Sequence, residues 1–332
     1  MRSSLRAAGF YVPIRTVSNP ELAARLDVTP EWIEQQSGIV TRHYVEIGEG
    51  TADLAAAAAR QALANAEITA DEIDLIIVAT LSPDHQFPAV AAFLQEKLAT
   101  TRKIPAFDIS ATCAGFIYAL TLADAMIRTN NYGNVLVVGA EVHSTGLDFS
   151  PRAKNISMLF GDGAGAVIVS AVEDNSSSVI LSTHLGTDGN FAKDLWCEAP
   201  GAILHPRVSV EMIEEGRCFP SMNGRTVILH ATRRLTETIK EALIHNSITI
   251  DQVSLLITHQ ANANLIRAVG KAIGIAEERV FINIDRYGNT SAASIPIALA
   301  EAIASTRIKA GEYLLLAGFG SGFTWGSCLI KY

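Results

Sequence analysis

A helix-then-strand unit occurs twice in this chain, and that recurrence limits the folds open to it more than any other feature. Ala62-Leu63, Ile68-Thr69, Asp71, Leu75 and Ile77 return as Ala242-Leu243, Ile248-Thr249, Asp251, Leu255 and Ile257, at a constant offset of 180. Leu136 to Val138 likewise returns as Leu314 to Leu316 at an offset of 178. Chance matching of apolar residues does not explain a shared offset that spans helix, loop and strand. Duplicated α/β halves packed on one another are expected. The length of 332 residues also exceeds what one ordinary core supports. The polar run Glu173-Asp174-Asn175-Ser176-Ser177-Ser178 reads as the joint, which gives halves at 1–173 and 174–332.

Within the first half, Asp108 to Leu120 stands out. It begins as a short β-like run (Pro105 to Ile109), passes through small polar residues and continues almost wholly apolar to about Ile127. Such a segment reads as a helix buried on all sides in a large core. Cys113 falls at the first turn of that helix, with Ser110 or Thr112 available as caps. Backbone N–H groups and the positive end of the helix dipole there favour thiolate over thiol. Alone, a cysteine of this kind is more often a small core hydrophobe. The other strand ends change that reading.

Parallel sheets carry their functional loops at the carboxyl ends of strands. Strand Leu255 to Thr258 ends at His259-Gln260-Ala261-Asn262. A second strand, expected over Val280 to Ile284, ends in Asp285-Arg286-Tyr287-Gly288-Asn289-Thr290-Ser291. A third, Tyr313 to Ala317, runs into Gly318-Phe319-Gly320-Ser321-Gly322-Phe323. Asn289 thus takes nearly the place in its half that Cys113 takes in the first. A thiol, an imidazole, an amide and a glycine-rich loop are expected to face one cavity. Each has a plainer reading in isolation: a histidine satisfying a buried backbone group, an asparagine capping a helix. Gly161-x-Gly163-x-x-Ala166 satisfies a loose dinucleotide fingerprint. Val167-Ile168-Val169 follows it as a strand, so a tight turn with close packing is expected instead.

Composition excludes several classes. Apolar residues at 49% and charged residues at 18% are ordinary for a globular protein. A net charge of −8 argues against a general nucleic-acid or anionic-membrane binder. No long apolar run opens or interrupts the chain, so the expectation is a soluble, cytoplasmic protein with no membrane partner. The four cysteines, 113, 197, 218 and 328, show no CxxC pair and indicate neither a zinc site nor a disulfide framework.

Taken together, these residues resemble the β-ketoacyl-acyl carrier protein synthase III family of the thiolase superfamily, over essentially the whole chain. The marks are Cys113 in Ala-Thr-Cys-Ala-Gly-Phe, His259 in His-Gln-Ala-Asn and Asn289 in Gly-Asn-Thr-Ser-Ala-Ala-Ser. Phe160-Gly161-Asp162-Gly163-Ala164-Gly165-Ala166 and Gly322-Phe323-Thr324-Trp325-Gly326-Ser327 add to them. The resemblance implies a thiolase-like αβαβα sandwich and a decarboxylative Claisen condensation catalysed by Cys113, His259 and Asn289. The chemistry suits the residues. A thiolate exchanges acyl groups with a thioester at little driving force. The amides of Cys113 and Ser321 are the expected oxyanion pair. Neutral His259 and the Asn289 amide would stabilise the enolate left when a malonyl thioester loses CO₂. No metal or redox cofactor is implied, and a coenzyme A thioester enters only as substrate.

By the same resemblance, Trp32 and Arg152 sandwich the adenine of coenzyme A, and Asn262 and Asn223 line the pantetheine tunnel. Phe319 lies on the substrate side, and Phe87 crosses a two-fold interface to bound the partner's acyl pocket, which implies a homodimer. The chain departs from the family at Gln36 and Asn264, where Arg is common, and at Ile228 and Leu229, where Phe and Lys are common. The change at Gln36 loses a contact near the nucleotide, and the others alter the tunnel rim and remove positive charge from the surface where an acidic carrier protein docks. Lys271, Arg267, Arg233 and Arg234 are the candidate substitutes. The segment Thr80-Leu81-Ser82-Pro83-Asp84-His85 also looks like relatives from specialised metabolism, including those making alkylquinolones. The acceptor of the acyl group is then a malonyl thioester on carrier protein or coenzyme A. Two other readings use the same residues: acyl transfer to an alcohol or amine, and a cysteine hydrolase with Cys113, His259 and Asn289 arranged as in papain-like enzymes.

Overall fold

The computed structural model describes residues 1–129 and 131–332. Two sheets repeat one plan. The first contains β1 (Arg2–Tyr11), β2 (Leu75–Ala79), β3 (Ala106–Ile109), β4 (Asn134–Glu141) and β5 (Gly163–Val172), in the order β1-β5-β4-β2-β3. The second contains β6 (Val179–Thr187), β7 (Val253–Thr258), β8 (Tyr313–Gly320) and β9 (Thr324–Lys331), in the order β6-β9-β8-β7. In the first sheet β4, β2 and β3 run parallel while β1–β5 and β5–β4 pair antiparallel; in the second β7–β8 is parallel while β8–β9 and β9–β6 are antiparallel.

Six helices complete the layers: α1 (Thr51–Ala66), α2 (Val90–Lys97), α3 (Gly115–Arg128), α4 (Gly224–His245), α5 (Ala263–Ile273) and α6 (Ser294–Ala304). Strand alternation decides which helix meets which face. Leu75, Ile77 and Ala79 of β2 join one core with α3, α6 and the inner side of the second sheet, including Leu255 and Ile257. Ile76 and Val78 face the other way, onto α1 and α2. Leu256 of β7 similarly faces α4 and α5. The result is the expected αβαβα sandwich, with α3 and α6 as its central layer. Buried on both faces, these strands are continuously apolar, as the sequence showed. Among the described residues, no helix is long and apolar enough to cross a membrane.

The duplication extends to backbone detail. Glu67 and Ser247, after α1 and α4, both adopt φ of 55°. Thr69 and Thr249 each receive the side chain three residues on, Glu72 at 2.8 Å and Gln252 at 2.9 Å. Thr112 and Ser291, with φ of 47° and 48°, each open a 3-10 turn ahead of a central helix.

One expected element is absent. Val280 makes a single parallel bridge to Leu256, and Ile284–Tyr287 is a helical turn rather than the end of a strand. Gln260 accounts for the difference: its amide donates to the Phe281 carbonyl (3.2 Å) and accepts from the Asn283 N–H (3.0 Å), taking backbone groups a longer ladder would need. Around Gly161-x-Gly163, the chain passes directly into β5. A side chain at Gly165 would meet the Ile297 amide of α6 at 2.6 Å, so the glycines here serve close packing.

Gly139, near the end of β4, packs on the Ser291–Ala293 turn of the other half, and an added Cβ would land on the Ala292 carbonyl. Gly139→Ala is expected to cost about 1–3 kcal/mol in urea unfolding. Gly146→Ala, where nothing lies within 4 Å, is expected to stay within about 0.5 kcal/mol.

Candidate active site

Cys113 sits in the Thr112–Ala114 turn, immediately before α3, where β3 has ended. Its sulfur accepts a hydrogen bond from the Ser291 hydroxyl at 3.2 Å. The thiol is pushed up to about 12, chiefly by burial, with Ser291 opposing and the charge of Glu141 adding to the rise. The expectation of a resting thiolate is therefore corrected: loss of water around an enclosed sulfur outweighs the helix terminus. Nor do Ser110 or Thr112 cap α3; the Thr112 hydroxyl donates to the Ser321 carbonyl at 3.1 Å. This bond and the contact of Gly320 with Cys113 lay the glycine-rich loop beside the nucleophile; a Cβ at Gly320 would fall 2.7 Å from the Cys113 amide.

His259 follows β7, with its N–H still bonded to the Ala317 carbonyl at 2.8 Å. Its Nδ1 lies 2.7 Å from Ser294 Oγ, which also accepts the Gln260 N–H at 3.2 Å. Nδ1 is the acceptor that Ser294 Oγ finds for its own proton, and donation to it puts the imidazole proton on Nε2. Burial, and secondarily His143, lowers His259 to about 3, so it is a neutral donor at neutral pH. Asn289 is oriented by its surroundings in the same way. Its N–H donates to the Leu159 carbonyl at 2.8 Å, and its Oδ1 accepts the Ser291 N–H at 2.9 Å. The side-chain NH₂ is left as the donor.

Cys113, His259 and Asn289 line one cavity of about 410 Å³, together with Phe160, Leu195, Ala231, Leu235, Phe319 and Asn262. All three are buried, at 7%, 4% and 6% exposure. No Asp or Glu lines the cavity among the described residues, and Arg225 is its cation. The papain-like arrangement is not present: Ser294, not Asn289, orients the imidazole.

The residues expected on the coenzyme A side divide. Asn262 lines the cavity, caps α5 through Asn264 N–H at 2.8 Å, and donates to the Gln36 carbonyl at 2.7 Å. Gln36 itself reaches the cavity, and Asn264 donates to the Gln35 carbonyl at 3.1 Å. Asn223 lies beside the lining residues Met222 and Gly224 but turns its amide to Asp194 at 3.0 Å. Trp32 is half-buried, and the cation over its ring is Lys154 at 5.7 Å. Arg152 is held instead by Asp148 and the Glu214 carbonyl. Phe87 is 83% exposed and does not line its own chain's cavity. Arg233 pairs with Glu237 at 2.8 Å, and Arg267 with Glu277 at 3.4 Å.

Sequence reasoning missed Ser291 and Ser294, although two serines in the apolar run after Asn289 were a visible signal. It also missed His143, whose ring centroid lies 4.5 Å from that of Phe160 behind the cavity wall. His143 Nε2 is buried without a partner, and burial lowers the group to about 4. A depressed histidine contributes stability that is present above its unfolded value near 6.5 and is lost as pH falls toward the folded value. His143→Phe is therefore expected to gain stability relative to wild type between pH 6.5 and 4, by up to about 3 kcal/mol. Parallel urea titrations at several pH values measure that difference.

Comparison with known proteins places this geometry. A family model described as 3-oxoacyl-[acyl-carrier-protein (ACP)] synthase III matches residues 107–189, and its C-terminal counterpart matches residues 243–332. The β-ketoacyl-[acyl-carrier-protein] synthase III of Granulibacter bethesdensis is 42% identical over 333 aligned positions, covering 99% of both chains. That of Neisseria gonorrhoeae is 42% identical over 330, again covering 99% of each. The crystal structure of 3-oxoacyl-[acyl-carrier-protein] synthase III from Aquifex aeolicus superposes with a TM-score of 0.90 at 38% identity, covering 99% of this chain and 100% of that one. Similarity at this level, sustained over the full length of both partners, means that this chain belongs to the 3-oxoacyl-[acyl-carrier-protein] synthase III family.

Proposed function

We propose that this chain transfers an acyl group from acyl-coenzyme A to Cys113 and condenses it with a malonyl thioester, as in the initiation of fatty-acid synthesis. In the first step the sulfur–acyl bond forms at Cys113, the bond to the coenzyme A sulfur breaks, and coenzyme A leaves as the thiol. The amides of Cys113 and Ser321 are the proposed donors to the tetrahedral oxyanion. In the second step the malonyl thioester loses CO₂. The enolate oxygen receives hydrogen bonds from His259 Nε2 and the Asn289 NH₂, and its carbon attacks acyl-Cys113. Collapse of that adduct returns the sulfur and releases a β-ketoacyl thioester.

The observation that carries this reading is a cavity with one thiol, two neutral donors and no lining carboxylate. A general base would suit hydrolysis; paired neutral donors suit an enolate, and a malonyl carboxylate meets no like charge. The names of the relatives favour an acyl carrier protein as the bearer of the malonyl group, over the specialised-metabolism alternative. Arg225 at the cavity, beside Ile228 and Leu229 exposed at 54% and 65%, forms the proposed docking face. Trp32 and Asn262 remain the proposed contacts to coenzyme A, with Lys154 joining Arg152 as a candidate cation. Exposed Phe87 is consistent with a cytoplasmic homodimer in which it closes the partner's acyl pocket.

Incubation with a panel of acyl-coenzyme A thioesters is expected to add the acyl mass to Cys113 in the intact protein, stable in buffer until malonyl thioester is supplied. Cys113→Ser is expected to take up no acyl group; uptake at the wild-type rate would place the acyl site elsewhere. His259→Ala and Asn289→Ala are expected to acylate normally. Their release of labelled CO₂ from carboxyl-labelled malonyl thioester falls by about 10²-fold or more.

A further inference from the structure

Glu141 ends β4 with no exposed surface, and nothing in the condensation described above uses it. Its carboxylate accepts Ser82 Oγ at 2.5 Å, the Leu81 N–H at 3.2 Å and Thr80 Oγ1 at 3.3 Å. The backbone of Ala292, which packs on β4 at Gly139, also favours its charged form. Ser82 Oγ accepts from the Val142 N–H at 2.9 Å and Thr80 Oγ1 from the Ser82 N–H at 3.1 Å, and each hydroxyl donates its own proton to the carboxylate. Two hydroxyls and a backbone N–H aimed at the carboxylate favour its charged form against the burial.

The three segments joined here are not neighbours in sequence. One is the end of β4. Another is the turn after β2, which leads on to exposed Phe87. The last is the Ser291–Ala293 turn from the opposite half, whose Ser291 hydroxyl bonds Cys113 and whose Ser291 N–H orients Asn289. A buried carboxylate in this position is not required for packing, since the surrounding strand residues are apolar throughout.

We propose that Glu141 is a positioning residue for the condensation: it holds the turn after β2 and the Ser291–Ala293 turn in register with Cys113, and its negative charge bears on the sulfur. This rests on Cys113 being the acyl-accepting nucleophile. In the electrostatic part, the charge of Glu141 adds to burial in raising the Cys113 thiol. Glu141 itself is pushed up to about 7 by burial, against the hydrogen bonds from Ser82, Leu81, Ala292 and Thr80. The other titratable groups nearby are His143, His259 and Asp162, the last bonded to the backbone of His143 and Ser144. Both imidazoles are neutral above pH 7, and Asp162 is common to wild type and variants.

Two substitutions separate charge from tether. Glu141→Gln removes the charge but keeps one carbonyl acceptor. Glu141→Asp keeps the charge but withdraws it by one methylene. The rate of iodoacetamide alkylation at Cys113, mapped by peptide mass between pH 7 and 10.5, reads the charge directly. The Gln variant is expected to alkylate about three- to tenfold faster at pH 9, its curve displaced to the acid side, because a unit of thiol shift is tenfold in thiolate. The Asp variant is expected to keep the wild-type alkylation curve and its acylation, while condensation turnover falls about tenfold or more through lost alignment. A folded Gln variant whose curve coincides with wild type overturns the charge role; an Asp variant with wild-type turnover overturns the positioning role, and it carries the test if the Gln variant does not fold. Wild-type protein that never labels at Cys113 instead overturns the nucleophile assignment beneath the proposal.

Discussion

The site depends on a reciprocal contact in which each half's functional turn is seated on a glycine of the other half's central strand. The Cys113 turn rests on β8, where a Cβ at Gly318 would come within 3.1 Å of Ala114 Cα and one at Gly320 within 2.7 Å of the Cys113 amide. The Ser291–Ala293 turn rests on β4 at Gly139. Both turns open with a residue at positive φ, Thr112 and Ser291, a strained conformation that needs surrounding structure to hold it. Neither half has a complete site alone, because each turn lacks its seat until the other half is in place.

That arrangement explains why the duplicated positions diverged in chemistry while keeping their geometry. Two equivalent turns meet near the middle of the sandwich. One presents a sulfur, and the other a serine that hydrogen-bonds it. Their shared burial sets the electrostatics: the Cys113 thiol is raised, and His259 is held neutral with its proton directed by Ser294. A cavity wall with no carboxylate favours differential stabilisation of an oxyanion over proton abstraction. The carboxylate that approaches it, Glu141, is kept out of the lining and tied down by backbone and hydroxyl donors.

Legibility varied with the kind of signal. The sandwich was readable because it follows from repeated strands with alternating inner and outer faces, as in Leu75, Ile76 and Ile77. His259 was readable because it follows a strand that the repeat had placed, while Cys113 and Asn289 joined it as a set through the family resemblance of their motifs. The strand expected over Val280 to Ile284 was misjudged, since apolar periodicity carries no notice that Gln260 would take its backbone partners. Arg152 and Asn223 were named for coenzyme A by resemblance alone; Asp148, four residues before Arg152, was a local signal that was passed over, whereas Asp194 lies 29 residues before Asn223.

By itself the sequence determined the two-fold repetition, the apolar layers and the identity of the chemically able residues, because these depend on local periodicity and on which side chains follow which strands. Only the tertiary structure decided how those residues behave. The protonation of Cys113 and the tautomer of His259 depend on burial and on partners 178 and 35 residues away, Ser291 and Ser294. Solvation and hydrogen-bond direction are properties of the assembled interior, and no stretch of chain carries them alone.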